Sequence, residues 1–207
     1  IKIVRRGILQ EDIIRLVVNN TREPEDRNLD LKVQIATNDF GVIQTTKLIE
    51  KMGLEAMEVA VEDLLSYTSR RLKKHLLALK QGSSSFTTWM DDDGLEGQTL
   101  PLKANVKIEN GHLLIDFSGS GPQSRGAFNV MTTGVVATVS YAVKALLDPD
   151  LPANDGLYSV IQLNMQRGSI LNPVYPAAVG ARTTTCQKLA GAIFGAFAQL
   201  LKKEQIM

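Results

Sequence analysis

One cysteine, Cys186, and two histidines, His75 and His112, are the only thiol and imidazole groups in the 207 residues. The lone thiol excludes an intramolecular disulfide, and three scattered side chains make no zinc-type cluster. Charge of one sign is lacking as well, because 23 Lys and Arg meet 22 Asp and Glu for a net of +1. That balance gives no whole-molecule field for nucleic acid or an anionic membrane, which leaves a contact through Arg70, Arg71, Lys73 and Lys74 as the weakest reading. Long apolar runs are also missing. The best candidate, Leu189 to Leu201, falls short of the roughly 18 residues of a membrane span and contains Gln199. The expectation is therefore no signal peptide, no membrane helix and reducing, cytoplasmic surroundings. The chain opens on Ile1-Lys2-Ile3 without a methionine and stops just after Lys202-Lys203-Glu204, which suggests a piece of a longer polypeptide.

What is present is an ordinary globular composition, 44% hydrophobic and 22% charged, which excludes disorder of the whole chain. A chain of this length buries roughly 70% of its unfolded surface. Two domains are expected, a helical arm over 1–82 and an α+β domain over 83–207. Ile13, Ile14, Leu16, Val17 and Val18 predict a short helix within Gln10 to Asn20. Thr21-Arg22-Glu23-Pro24 then supplies a capping residue and a proline for the next helix start. That helix runs to Gly53. From Leu54 the positions Met57, Val61, Leu64, Leu72, Leu76 and Leu79 share one face as far as Gly82. Glu55, Glu58, Glu62 and Asp63 come early and Arg70, Arg71, Lys73, Lys74 and Lys80 late, as the helix dipole favours. The result is a long helical pair joined at Gly53, expected to be antiparallel.

Ser83-Ser84-Ser85 reads as the joint, followed by a short strand from Phe86 to Met90. Leu100, Leu102, Ala104, Val106 and Ile108 then alternate with polar residues up to Asn110-Gly111, the preferred two-residue hairpin turn. Counting across that turn sets Ile108 opposite Leu113, Val106 opposite Ile115 and Ala104 opposite Phe117, with Lys103, Asn105, Lys107, Asp116 and Ser118 on the wet face. A helix from about Thr133 to Leu147, a strand from Val160 to Met165 and a last helix follow. The stripe of that helix is Cys186, Leu189, Ala190, Ile193, Phe194, Phe197, Leu200 and Leu201. Beside it Gly191 and Gly195 make a smooth groove for close packing.

Motifs with chemical content are few. Gly119 to Gly126 is rich in glycine but lacks the Lys-Ser/Thr end of a phosphate loop, and Pro122 removes an amide, so it reads as a structural loop. Asp91-Asp92-Asp93-Gly94 lacks the alternating ligands of a calcium loop and reads as a turn. Cys186 on an apolar stripe reads as a small buried hydrophobe. Asp116 opposite Asn105, with Ser118 and Ser120 beyond, forms either a small polar cluster or a solvated sheet face. Arg27, Asp30, Gln34 and Asn38 recur at steps of three and four along one helix side, which either faces water or locks backbone by hydrogen bonds. Arg182, before a helix start, either binds a carboxylate or braces its loop.

Four separated stretches resemble the hydantoinase B/oxoprolinase family. They are Asn20 to Arg27 with Asp30 to Asn38 and Gly41; Ile115 to Ser120 through Arg125, Gly126 and Asn129; Leu147 to Gly156; and Gly168 to Pro173. The resemblance implies an ATP-dependent hydrolase of cyclic amides, such as hydantoin or 5-oxoproline, or a related acetone or acetophenone carboxylase. It implies a hydantoinase A type subunit or domain that carries the ATP chemistry, an oligomeric assembly, and a divalent metal in the intact enzyme. The His- and Asp-rich metal-binding stretches of the family lie nearer the amino terminus than anything matched here. No metal ligand or cofactor is therefore assigned to this chain, which alone should be inactive. The resemblance points to Asp116, Ser118, Asn129 and Arg182 as pocket candidates, for orientation and anion stabilisation. Arg27, Asp30, Gln34 and Asn38 are structural or interface candidates. The rival reading is a non-catalytic assembly module built on the helical arm.

Overall fold

The computed structural model describes residues 1–93, 95 and 97–201. Gly94 of the acidic turn and the Lys202-Lys203-Glu204 stretch lie outside them. Residues 1–61 form one compact unit and the chain from Glu62 onward a second.

In the first unit, β1 (Val4–Arg5) and β2 (Ile8–Leu9) pair through a two-residue turn, with Arg6 and Gly7 at φ 50° and 77°. Both positive values fit the turn that matches strand twist. Helix α1 (Glu11–Val18) buries Ile14 and Val18, one turn apart. Thr21 does not cap the next helix. Its hydroxyl donates to the Val18 carbonyl, 2.6 Å, so it closes α1 instead. Helix α2 (Pro24–Met52) begins with Pro24 in its first turn, where a missing N–H costs nothing, and stops at Gly53 with φ 85°. No α2 residue is buried. The long helix α3 (Leu54–Ala78) follows at once and continues into the second unit.

The second unit is built on a four-stranded sheet in the order β3-β4-β5-β6, formed by β3 (Gly82–Met90), β4 (Leu100–Glu109), β5 (His112–Asp116) and β6 (Ile161–Asn164). The first three strands are antiparallel and β6 joins β5 in parallel. A parallel neighbour requires a crossover, and α4 (Thr132–Leu147) lies within it. With α5 (Arg182–Ala198) this gives the α+β architecture expected from the sequence.

The alternation in β4 holds throughout, with Leu100, Leu102, Ala104, Val106 and Ile108 buried. Asn110 and Gly111 take the two positive-φ places of the hairpin turn. Val106 pairs with Ile115 and Ile108 with Leu113, as the counting requires. The third expected pair fails because β5 ends at Asp116, and Phe117 N–H turns to the Asn164 carbonyl, 2.9 Å. The serine triplet is a second correction. Ser83, Ser84 and Ser85 are not a joint but part of β3, paired with Lys107, Val106 and Asn105.

What holds that serine-rich strand is its neighbour α5. A Cβ on Gly195 would overlap the Phe86 ring, and the Ser84 hydroxyl donates to the Ala196 carbonyl, 2.6 Å. The glycine groove is thus filled by β3. Leu72 and Leu76 of α3 and Leu79 just past its end join Leu189, Ile193 and Phe197 of α5 in one core under the sheet.

Candidate functional site

The carboxyl ends of the parallel strands β5 and β6 lie side by side, Asp116 opposite Asn164. Strand ends of this kind are where loops can be shaped without disturbing a sheet, and where ligands collect in open α/β sheets. Asp116 Oδ1 accepts three hydrogen bonds here, from Ser118 N–H at 3.1 Å, Ser118 Oγ at 2.7 Å and Asn164 Nδ2 at 2.9 Å. Oδ2 accepts none among the described residues. From β4, Asn105 Nδ2 donates to the carbonyls of Asp116 and Ser118, 2.9 and 3.2 Å. Ser120 Oγ accepts Lys103 N–H, 3.0 Å, and so straps the turn to the sheet. The carboxylate is held by one oxygen and leaves the other to accept a proton donor.

The glycine-rich loop that follows is pinned at its centre by Asn129. This side chain is fully buried. Its Oδ1 accepts Ser124 N–H at 2.8 Å, and its Nδ2 donates to the carbonyls of Ser124, Gly126 and Ala178 at 2.9, 3.2 and 2.9 Å. Every polar atom of the amide is spent inside the protein. Asn129 therefore braces the loop. The chain is tightly drawn here, since a Cβ on Gly126 would overlap the Asp93 carbonyl. Gln123 Nε2 donates to the Val174 and Pro176 carbonyls at 2.9 and 3.1 Å, joining the two loops. A cleft of about 590 Å³ opens on this surface, lined by Gln123, Ser124, Arg125, Gly168 and Pro176 among others. A second cleft of about 580 Å³, which includes Lys107 and His112, lies by the amino ends of β5 and β6 and holds none of the motif residues.

Arg182 opens α5 close to the Asn129 brace, because Ala181 N–H reaches the Ala127 carbonyl, 2.9 Å. Its guanidinium is exposed and makes one long contact, 3.5 Å, to the Val179 carbonyl. The structure thus brings Asp116 and Ser118 together, and sets Arg182 beside the loop that Asn129 shapes. Among the described residues no hydrogen bond joins the two groups. Arg27 and Asp30 form an exposed ion pair, 2.5 Å, while Gln34 and Asn38 are exposed. That side of α2 is exposed among the described residues.

One cluster escaped the sequence reading. Asp148, buried at the end of α4, accepts from Arg71 Nε and Nη2, the latter at 2.7 Å, and lies 3.1 Å from His75 Nε2. Burial alone would raise its carboxyl, but the Arg71 guanidinium outweighs it and holds the group below the usual carboxylate range. The same bond, with that to the Tyr67 hydroxyl, raises the Arg71 guanidinium. Arg71 and His75 are four apart on α3 and so share a face, which was the one signal available. The rest of the Leu147 to Gly156 motif also grips α3. Asn154 Nδ2 donates to Thr68 Oγ1, 3.0 Å, and Gly156 lies so close to the Leu65 carbonyl that a Cβ would overlap it.

Among the described residues no three His, Cys, Asp or Glu side chains gather as metal ligands. The described residues therefore do not fit a metal centre. No helix among them is long and apolar enough to cross a membrane.

The described residues from Glu62 onward thus form an α+β unit in which Asp116 and Ser118 lie at the carboxyl ends of two strands and the Leu147 to Gly156 stretch grips α3. The chain belongs to the hydantoinase B/oxoprolinase family, whose pattern matches residues 1–206. It is 32% identical to a 5-oxoprolinase of Dictyostelium discoideum over 95% of this chain and 16% of that protein. It is 26% identical to a protein described as the B component of a D-/L-hydantoinase in a Pseudomonas strain, over 97% of this chain and 36% of that one. The fold superposes on the ATP-dependent caprolactamase of Pseudomonas jessenii with a TM-score of 0.87 at 22% identity, covering 100% of this chain and 36% of that chain. The chain thus spans about a third or less of these proteins.

Proposed function

We propose that this chain is a portion of the hydantoinase B type subunit of an ATP-dependent cyclic-amide hydrolase that opens a hydantoin or 5-oxoproline ring. The family match across residues 1–206 carries the reading. ATP chemistry belongs to a hydantoinase A type subunit or domain, and the setting is cytoplasmic, in keeping with the free Cys186. In this reading Asp116, steadied through Oδ1, accepts a substrate N–H on Oδ2, with Ser118 beside it as the second polar contact. Arg182, exposed at the loop edge, attracts a carboxylate such as that of 5-oxoproline. No step passes through a metal on this chain.

The test is ATP hydrolysis and ring opening by the complete subunit pair, offered hydantoins, 5-oxoproline and small ketones. Asp116→Ala and Arg182→Ala are expected to lower turnover at least tenfold with folding unchanged. Wild-type turnover in both variants removes the site assignment. Turnover confined to ketones moves the protein to the carboxylase branch, and none with any substrate favours an assembly module.

A further inference from the structure

The alternation of β4 puts Lys103 and Lys107 on the same wet face of the sheet, yet the two are held differently. Lys107 is neutralised by Glu109, 2.8 Å away. Lys103 is half-buried, forms no ion pair among the described residues, and its ammonium makes no hydrogen bond. Its backbone is tied to the turn after β5, because Lys103 N–H donates to Ser120 Oγ, 3.0 Å, and that hydroxyl donates back to the Lys103 carbonyl, 3.3 Å. Its side chain crosses the same turn. A Cβ on Gly119 would stand 3.2 Å from Lys103 Cδ and 4.0 Å from Nζ, so the glycine, at φ 92°, leaves bare backbone for the lysine stem to lie on. The ammonium is thereby set over the turn that carries Ser118.

Nothing in the following chain cancels that charge. From Phe117 to Leu147 the sequence contains no acidic residue, and Asp116 gives its Oδ1 to Ser118 and Asn164 instead of to the lysine. One end of the sheet therefore carries an unpaired donor and a carboxylate with one oxygen open. A ring amide needs both at once. The ring holds its planar amide cis, so the N–H and the carbonyl oxygen leave along one edge, whereas an open-chain trans amide points them in opposite directions.

We propose that Lys103 is the donor half of the site, its ammonium binding the ring carbonyl oxygen of the cyclic amide whose N–H Asp116 Oδ2 accepts. The inference rests on the reading of Asp116 given under Proposed function. An ammonium at that oxygen also favours the negative charge that builds there when the carbonyl is attacked. Lys103 forms no covalent bond and keeps its proton. Once the ring C–N bond is broken the two groups no longer share an edge, so the pair favours the closed ring over its opened product.

The test uses the complete subunit pair and whichever of hydantoin and 5-oxoproline it hydrolyses. Lys103→Met keeps a stem on Gly119 and removes the charge, and it is expected to lower kcat/KM about tenfold or more with an unchanged urea midpoint. Lys103→Arg restores a charged donor and is expected to recover part of that loss. Because both groups hold one amide edge, the loss in the Lys103→Met/Asp116→Ala double variant should fall well short of the product of the single losses. Wild-type kcat/KM in Lys103→Met beside an impaired Asp116→Ala overturns this inference and leaves the Asp116 reading standing. Losses that multiply also overturn it, because the lysine then acts apart from the amide, and so does an arginine no better than methionine, because the role is then packing. An unimpaired Asp116→Ala, or a pair that hydrolyses neither ring, removes the reading beneath it and the inference with it.

Discussion

Replacing Asn129 by alanine tests whether the loop after β5 is a brace or a binding surface. The amide makes four hydrogen bonds, one to Ser124 N–H and three to carbonyls of Ser124, Gly126 and Ala178. The two amide hydrogens are shared among three carbonyls, so about three bonds' worth is lost, at about 0.5–1.5 kcal/mol each or about 1.5–4.5 kcal/mol in all, since a fully buried residue leaves those backbone groups without water to replace it. That is a large share of the ~5–15 kcal/mol that holds a domain together. Urea unfolding followed by circular dichroism reads it as a lower midpoint at similar slope. Asn129→Asp separates packing from bonding. It keeps the acceptor for Ser124 N–H but aims a carboxylate oxygen at three carbonyls, so it is expected to be worse than alanine at neutral pH. The gap should narrow as the carboxyl is protonated and regains a donor. A wild-type midpoint in Asn129→Ala, with turnover of the complete enzyme lost, refutes the brace and returns Asn129 to the pocket.

Two further changes probe how the second unit is held. Asp148→Asn removes the charge that pairs with Arg71 and His75. Because the folded carboxyl lies below its ordinary 3.8, the charged clamp stabilises above that pH and is lost as pH falls through the lower folded value. The urea midpoint of wild type should therefore exceed that of the variant at neutral pH, and the two should converge as pH falls below 3.8. A difference that persists undiminished well below pH 3.8 contradicts this. Gly195→Ala drives a methyl group into the Phe86 ring and is expected to cost about 1–3 kcal/mol. In a Phe86→Ala background the cost should largely vanish, and additive effects in the double-mutant cycle exclude the contact.

Much of this architecture is written in periodicities that a reader can count. The β4–β5 hairpin was legible because alternation, Asn110-Gly111 and a fixed side-chain period leave one register, and the structure departs from it only where β5 ends. Gly53 and Pro24 marked helix ends through backbone properties that no tertiary contact alters. The serine triplet was not legible, because serine has no strand preference and the strand exists through β4 on one side and the glycines of α5 beneath. Those glycines did announce that something packs close. They did not say that it was β3.

The site divides in the same way, and the division follows the sequence distance between partners. Asp116 and Ser118 are two apart and their contact is local, whereas the Asn164 bond to the same oxygen spans 48 residues. The Arg71–Asp148 pair is separated by 77 residues and needs the whole fold to bring it together. That pair changes the meaning of a motif. The Leu147 to Gly156 stretch is one of the four that resemble the family, and in it Asp148, Asn154 and Gly156 are each occupied with α3, through a charge pair, a hydrogen bond and a close backbone approach. Residues whose polar atoms are fully spent within the protein serve its shape. Among the described residues Asp116 keeps one carboxylate oxygen open, and the search for substrate contacts starts there.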